Sequence, residues 1–93
     1  MRLVYAAGAV DDLSRLHAFI AQHDPAAAQR IADDLASRIE ALRDAPLMGS
    51  TVAGAPDPQG IRDMVFGNHI VRYVVTARSI AVLRVWHYFE SRD

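Results

Sequence analysis

The 93-residue chain contains no cysteine. That absence excludes a disulfide framework, a thiolate metal site and a cysteine nucleophile together, and it removes any sign of an oxidising compartment. Lysine is absent too, so all ten cationic side chains are arginines. No window approaches the ~20 apolar residues of a membrane span. Asp11 and Asp12 interrupt the amino-terminal stretch before it can supply the apolar run of a signal peptide. The expectation is a soluble cytoplasmic protein with no membrane partner. Five glycines, at positions 8, 49, 54, 60 and 67, are too dispersed to cradle a phosphate. His17, His23, His69 and His87 show no metal-binding spacing, and no serine has a histidine and an acid at a motif spacing. No metal and no cofactor is expected.

What remains is enough for one small core. At 52% hydrophobic content the chain needs neither disorder nor a covalent staple. Residues 1–93 read as a single domain that buries about two-thirds of its unfolded surface. A net charge of −1 and a pI near 6.4 argue against a general polyanion binder. The charges are unevenly placed, however. Residues 8–44 hold seven acids against four arginines, whereas residues 61–93 hold five arginines against three acids. A negatively charged partner would meet the second half. The arginine-only set and the 16 alanines fit a GC-rich coding sequence equally well.

The chain changes character near residue 45. Twelve of the 16 alanines lie between 6 and 45, and nine of the 15 valines and isoleucines lie between 61 and 86. Helix formers therefore precede strand formers. Arg2–Ala6 is a strand candidate. A first helix is expected over about Ala9–Gln22, with Val10, Leu13, Leu16 (or His17) and Ile20 on its apolar face and Asp11 and Asp12 favourable in its first turn. Asp24 is a good N-cap and Pro25 suits the first position of a second helix running to about Asp44. Its stripe is Ala28, Ile31, Leu35, Ile39 and Leu42, and the very short link makes the two helices an antiparallel hairpin. Pro46 stops the helix, and Gly49–Gly60 reads as an exposed loop. Strands are expected at Ile61–Phe66, His69–Thr76 and Ile80–His87, with tight turns at Gly67-Asn68 and Ala77-Arg78-Ser79. The fold class is α+β in the order β-α-α-β-β-β: a helical hairpin packed on a small, mostly antiparallel sheet.

Chemistry concentrates in the sheet half. Arg62, Arg72 and Arg84 each sit in a separate, otherwise apolar strand, so each is expected on the face away from the helices. If the registers agree, three guanidinium groups share that face with Trp86 and present planar donors to an acidic peptide or a phosphate. The plain alternative is that each arginine pairs with a local acid, Arg62 with Asp63 or Asp57 for instance. A one-residue slip at 77–79 would flip the face. The second candidate is the carboxy-terminal run Arg84 to Asp93, where Trp86, His87, Tyr88 and Phe89 emerge from the last strand. These aromatics either seal one end of the core, form a partner patch, or place His87 for acid–base work.

Several of these features, taken in order, resemble the RelE/ParE superfamily of toxins from bacterial type II toxin–antitoxin modules. An early Asp12-Leu13 opens the first helix, and Asp24-Pro25-x-Ala27-Ala28 opens the second. Leu42-x-x-x-Pro46-x-x-Gly49 closes it. Gly60-Ile61-Arg62-Asp63, Ile70-Val71-Arg72-Tyr73-Val74-Val75 and Ile80 to His87 follow. The resemblance covers about residues 2–92 and implies the same β-α-α-β-β-β fold.

Within the superfamily the chain is more similar to the ParE-like branch. RelE-like members cleave mRNA on the ribosome and typically carry an arginine where this chain has Ile70, three residues before Tyr73. The missing lysines, the lack of a glutamate base ahead of Arg62 and the low pI run against that activity. The ParE-like resemblance implies a non-enzymatic inhibitor of DNA gyrase, with no catalytic residue and no direct contact to nucleic acid. It also implies neutralisation by a cognate ParD-like antitoxin in a hetero-oligomer. An acidic, amphipathic antitoxin tail is expected to lie along the helical hairpin and bond to Arg62, Arg72 or Arg84. The expected gyrase contacts are Trp86, His87, Tyr88 and Arg92. The interferase reading keeps one argument, a His87-Tyr88 pair similar to one in some ribonuclease members, with Arg62 or Arg72 as phosphate clamp. A third reading is a non-toxic relic that only binds antitoxin.

Overall fold

The computed structural model describes residues 1–56, 60–88 and 90. It opens with β1 (Arg2–Tyr5) and α1 (Ala7–Ala21), followed by α2 (Pro25–Ala41) and a two-residue strand, β2 (Ser50–Thr51). The remaining strands are β3 (Ile61–Phe66), β4 (His69–Val75) and β5 (Ser79–His87). The sheet order is β1-β5-β4-β3-β2. Only β1 runs parallel to its neighbour, with Arg2 opposite Ser79 and Tyr5 opposite Val82. The other pairs are antiparallel. The fold is thus α+β, two helices on a five-stranded sheet. Among the described residues no helix is long and apolar enough to cross a membrane.

The second helix forms as its sequence dictates. Asp24 accepts a 3.0 Å hydrogen bond from the Ala27 N–H, and Pro25 occupies the first turn, where its missing donor is harmless. Ala28, Leu35, Ile39 and Leu42 are buried along one stripe. The helix ends at Ala41 rather than near Asp44, because residues 42–44 tighten into turns.

The first helix differs from its expected face. It starts at Ala7 and buries Ala9, Asp12 and Leu16, whereas Val10 is 49% exposed. Asp11 and Asp12 consequently lie past the first turn and do not serve the helix dipole. The reason is long-range: Asp12 has its partners on β5, and satisfying them turns the helix.

The core between the layers is built from Leu16, Leu35, Ile39 and Leu42 of the helical half and Val71, Tyr73, Val82 and Val85 of the sheet. Tyr73 is fully buried, and its hydroxyl donates to the Pro46 carbonyl and accepts from the Gly49 N–H, both at 2.8 Å. That tether holds the chain leaving α2 against the sheet. A β-carbon at Gly49 would come within 2.7 Å of that hydroxyl and 2.8 Å of the Asp63 carbonyl oxygen, so only glycine fits. The tether also delivers Ser50 and Thr51 to β3, which explains a short strand inside the expected loop. Between β4 and β5 the register shifts: Arg72 faces Arg84, but Tyr73 faces Val82, leaving Leu83 as the extra residue of a bulge.

Candidate functional site

The strand arginines are expected to share one face away from the helices, and the structure separates them. Arg62 lies opposite the core residue Tyr73, on the helix side of β3, and its Nη1 donates to the Gly49 carbonyl at 2.8 Å and the Leu47 carbonyl at 3.4 Å. Arg72 lies on the other face. Its Nε and Nη2 bond both oxygens of Asp63 at 2.8 and 2.9 Å, and its guanidinium sits 5.2 Å from the Trp86 ring centroid. Arg84 reaches α1 instead, donating to the two Asp12 oxygens at 2.7 and 3.1 Å. Arg72 and Arg84 are both paired with acids, Arg72 with Asp63 of the neighbouring strand and Arg84 with the distant Asp12, and Asp63 does not pair with Arg62.

Asp12 is the hub of a network that reaches the end of β5. One of its oxygens also accepts the buried Val85 N–H at 2.8 Å, on the flank of β5 that β1 no longer covers. Burial alone would raise the Asp12 carboxyl, but the bonds from Arg84, Val85 and Arg15 outweigh it and hold the group below the usual carboxylate range. Arg15 links Asp12 to Glu90, and the other Glu90 oxygen accepts the His87 N–H at 2.7 Å. The turn after β5 is thereby tied to α1.

Beside that turn lies a cleft of about 840 Å³ between the helical hairpin and the β3–β4 end of the sheet. Its walls are largely apolar: Leu16, Phe19 and Ile20 of α1, Ile31 of α2 and Phe66 of β3. Phe19 is 64% exposed, a high value for a large apolar side chain. His69 and His87 face each other across β4 and β5 and line the same cleft. Their rings meet edge to face with centroids 5.3 Å apart. His69 is buried, and burial followed by the neighbouring His87 pushes its imidazole below the ordinary value, with Glu90 opposing. Among the described residues no group of three side chains is placed to hold a metal.

The expected target-contact residues divide between the two faces. Trp86 is buried opposite Ile70 on the face that carries Arg72, whereas His87 points into the cleft. Tyr88 is 61% exposed, and its N–H donates to the Asn68 carbonyl at 2.6 Å. Arg92 lies outside the described residues. The sequence reading missed Phe19, His69, Arg15 and Glu90. Phe19 had a usable signal, an aromatic flanking the apolar stripe of the first helix. The other three come together only through the bulged register.

This geometry has known relatives. A family profile described as the ParE toxin of the type II toxin-antitoxin system parDE matches residues 3–90. The chain is 32% identical over 83 residues to Toxin RelE1 of Caulobacter vibrioides, covering 87% of this chain and 86% of that protein. In fold it is similar to a chain of the chromosomal ParDE TA system from P. aeruginosa, with a TM-score of 0.79 and 19% identity over 94% of this chain and 95% of that one. The chain belongs to the ParE toxin family of type II toxin–antitoxin systems.

Proposed function

We propose that the chain inhibits DNA gyrase by protein–protein contact and is neutralised when a ParD-like antitoxin segment fills the cleft beside α1. One observation carries the reading: the apolar cleft with exposed Phe19 ends on the His87–Glu90 turn, so one occupant would abut the segment proposed to contact the target. His87, Tyr88 and Arg92 are the proposed gyrase contacts, with buried Trp86 positioning them. Arg72 and Arg84 are proposed to meet acidic residues of the antitoxin outside the cleft. Arg62 would act indirectly, through the loop carbonyls it holds.

The test is a supercoiling assay with purified gyrase, supported by induced expression in a bacterial host. Inhibition in the assay, filamentation with DNA breaks in cells, and rescue by the antitoxin are the expected results. Unimpaired gyrase beside a prompt halt in translation would refute the reading. That halt would favour the interferase, for which the His69–His87 pair is the specific argument; mRNA cleavage lost in His87→Ala would then identify it. No growth defect at all would leave a protein that only binds antitoxin.

A further inference from the structure

We infer that the cross-strand pair His69–His87 makes occupancy of the cleft proton-sensitive, so that the antitoxin segment holds tightly at neutral pH and loosens as the imidazoles charge. The inference rests on the reading that this segment fills the cleft. It follows from where the two rings stand. They are side by side on one wall, 5.3 Å apart, and His69 is only 8% exposed before any partner arrives. Apolar side chains of α1, α2 and β3 make up most of the facing walls, so a segment that fits them is itself apolar on its inner side. Such a segment removes the remaining water from both rings. A charged imidazole loses more than a neutral one in that step.

The charged neighbours do not reverse the sign. On α1 the facing group is Arg15, a cation bonded to Asp12 and Glu90. On α2 they are Asp34, at the cleft, and Arg38, whose guanidinium lies 4.7 Å from the Phe66 ring centroid. The turn after β5 offers Glu90, which favours the charged form of His69 but is already bonded to Arg15 and to the His87 N–H. The turn from Phe66 to His69 contributes no acid. Two imidazoles and two guanidiniums, those of Arg15 and Arg38, therefore face two carboxylates, of which Glu90 is already engaged, and protonation of the pair opposes closure by an apolar surface.

The experiment measures binding of the purified cognate antitoxin to the full chain by titration calorimetry. The dissociation constant is expected to rise roughly tenfold between about pH 7.5 and mildly acidic pH as one linked proton opposes binding. His87→Gln and His69→Gln should each flatten that slope, with each variant's profile compared to its own affinity at the higher pH. His87 is the less buried ring, so its variant keeps the test open if His69→Gln misfolds. Phe19→Asp separates the two layers of the argument, because this exposed position can change without loss of fold. Full affinity in Phe19→Asp at the higher pH would overturn cleft docking and the proton effect with it. A loss in Phe19→Asp beside a flat wild-type profile would leave docking in place and overturn the proton effect alone. Tighter binding in acid, or a slope that survives both histidine variants, would overturn it as well.

Discussion

Asp12→Ala is the most informative single perturbation of the fold that carries the cleft. The carboxylate is 5% exposed and accepts four hydrogen bonds, two from Arg84, one from Arg15 and one from the Val85 N–H. These partners respond differently to its loss. The Arg84 and Arg15 side chains are 55% and 46% exposed, so water replaces the carboxylate at little cost. The Val85 N–H is buried beside a 0%-exposed residue and has no such recourse. An orphaned buried donor costs about 1–3 kcal/mol, so the variant should lose about 2 kcal/mol, which for a domain of this size lowers the melting temperature by roughly 8–16 °C. Asp12→Asn keeps a carbonyl acceptor for Val85 and should lose about half as much. Asp11→Ala, one residue away but exposed, should stay within about 0.5 kcal/mol of the parent.

Thermal and urea unfolding of the three variants tests the ordering. The pH profile adds a second check. A carboxyl held below its ordinary value binds fewer protons when folded than when unfolded, so its stabilisation is complete above about pH 3.9 and disappears as pH falls through the lowered folded value. The gap between parent and Asp12→Asn should therefore close in acid. An Asp12→Ala protein as stable as Asp11→Ala would refute the hub role assigned to this residue.

Tyr73→Phe removes a hydroxyl that serves both Pro46 and Gly49 and should lose about 1–2 kcal/mol by urea unfolding, with the loop leaving α2 showing the fastest new amide exchange. Burial holds the His69 imidazole below its ordinary value, so its share of stability is complete above about pH 6.5 and falls as pH drops through that value toward the lowered folded one; unfolding of His69→Gln should lack this window. Arg72→Glu and Arg84→Glu should weaken antitoxin binding at least about tenfold while Arg30→Glu, exposed on α2, changes it less than about twofold. Equal losses at all three positions would remove the arginines from the proposed interface.

Much of the architecture was legible because local signals agreed with the global fold. Asp24-Pro25 fixed the start of α2, the alanine-to-valine switch separated the layers, and Gly67, with φ of 57°, turns the β3–β4 hairpin where the sequence placed it. The site was less legible, and the cause is traceable to one residue. Counting outward from the Thr76–Ser79 turn puts Tyr73 opposite Val82, as observed, and an unbroken ladder would then put Arg84 opposite Val71 and Trp86 opposite His69. The bulge at Leu83 shifts the rest of β5 by one position. It sends Val85 and His87 inward and Trp86 outward, and leaves Arg84 free to reach around the edge to Asp12. The pattern Ile80-x-Val82-Leu83-x-Val85 permits either parity, since Leu83 and Val85 are as apolar as Val82, and periodicity alone cannot choose. Asp12 adds the missing signal: an acid on the buried face of α1 requires a cation and a donor from the strand beside it, and the shifted register supplies both. The same shift brings His87 to His69, so the polar hub on one side of β5 and the histidine pair in the cleft depend on a single structural decision.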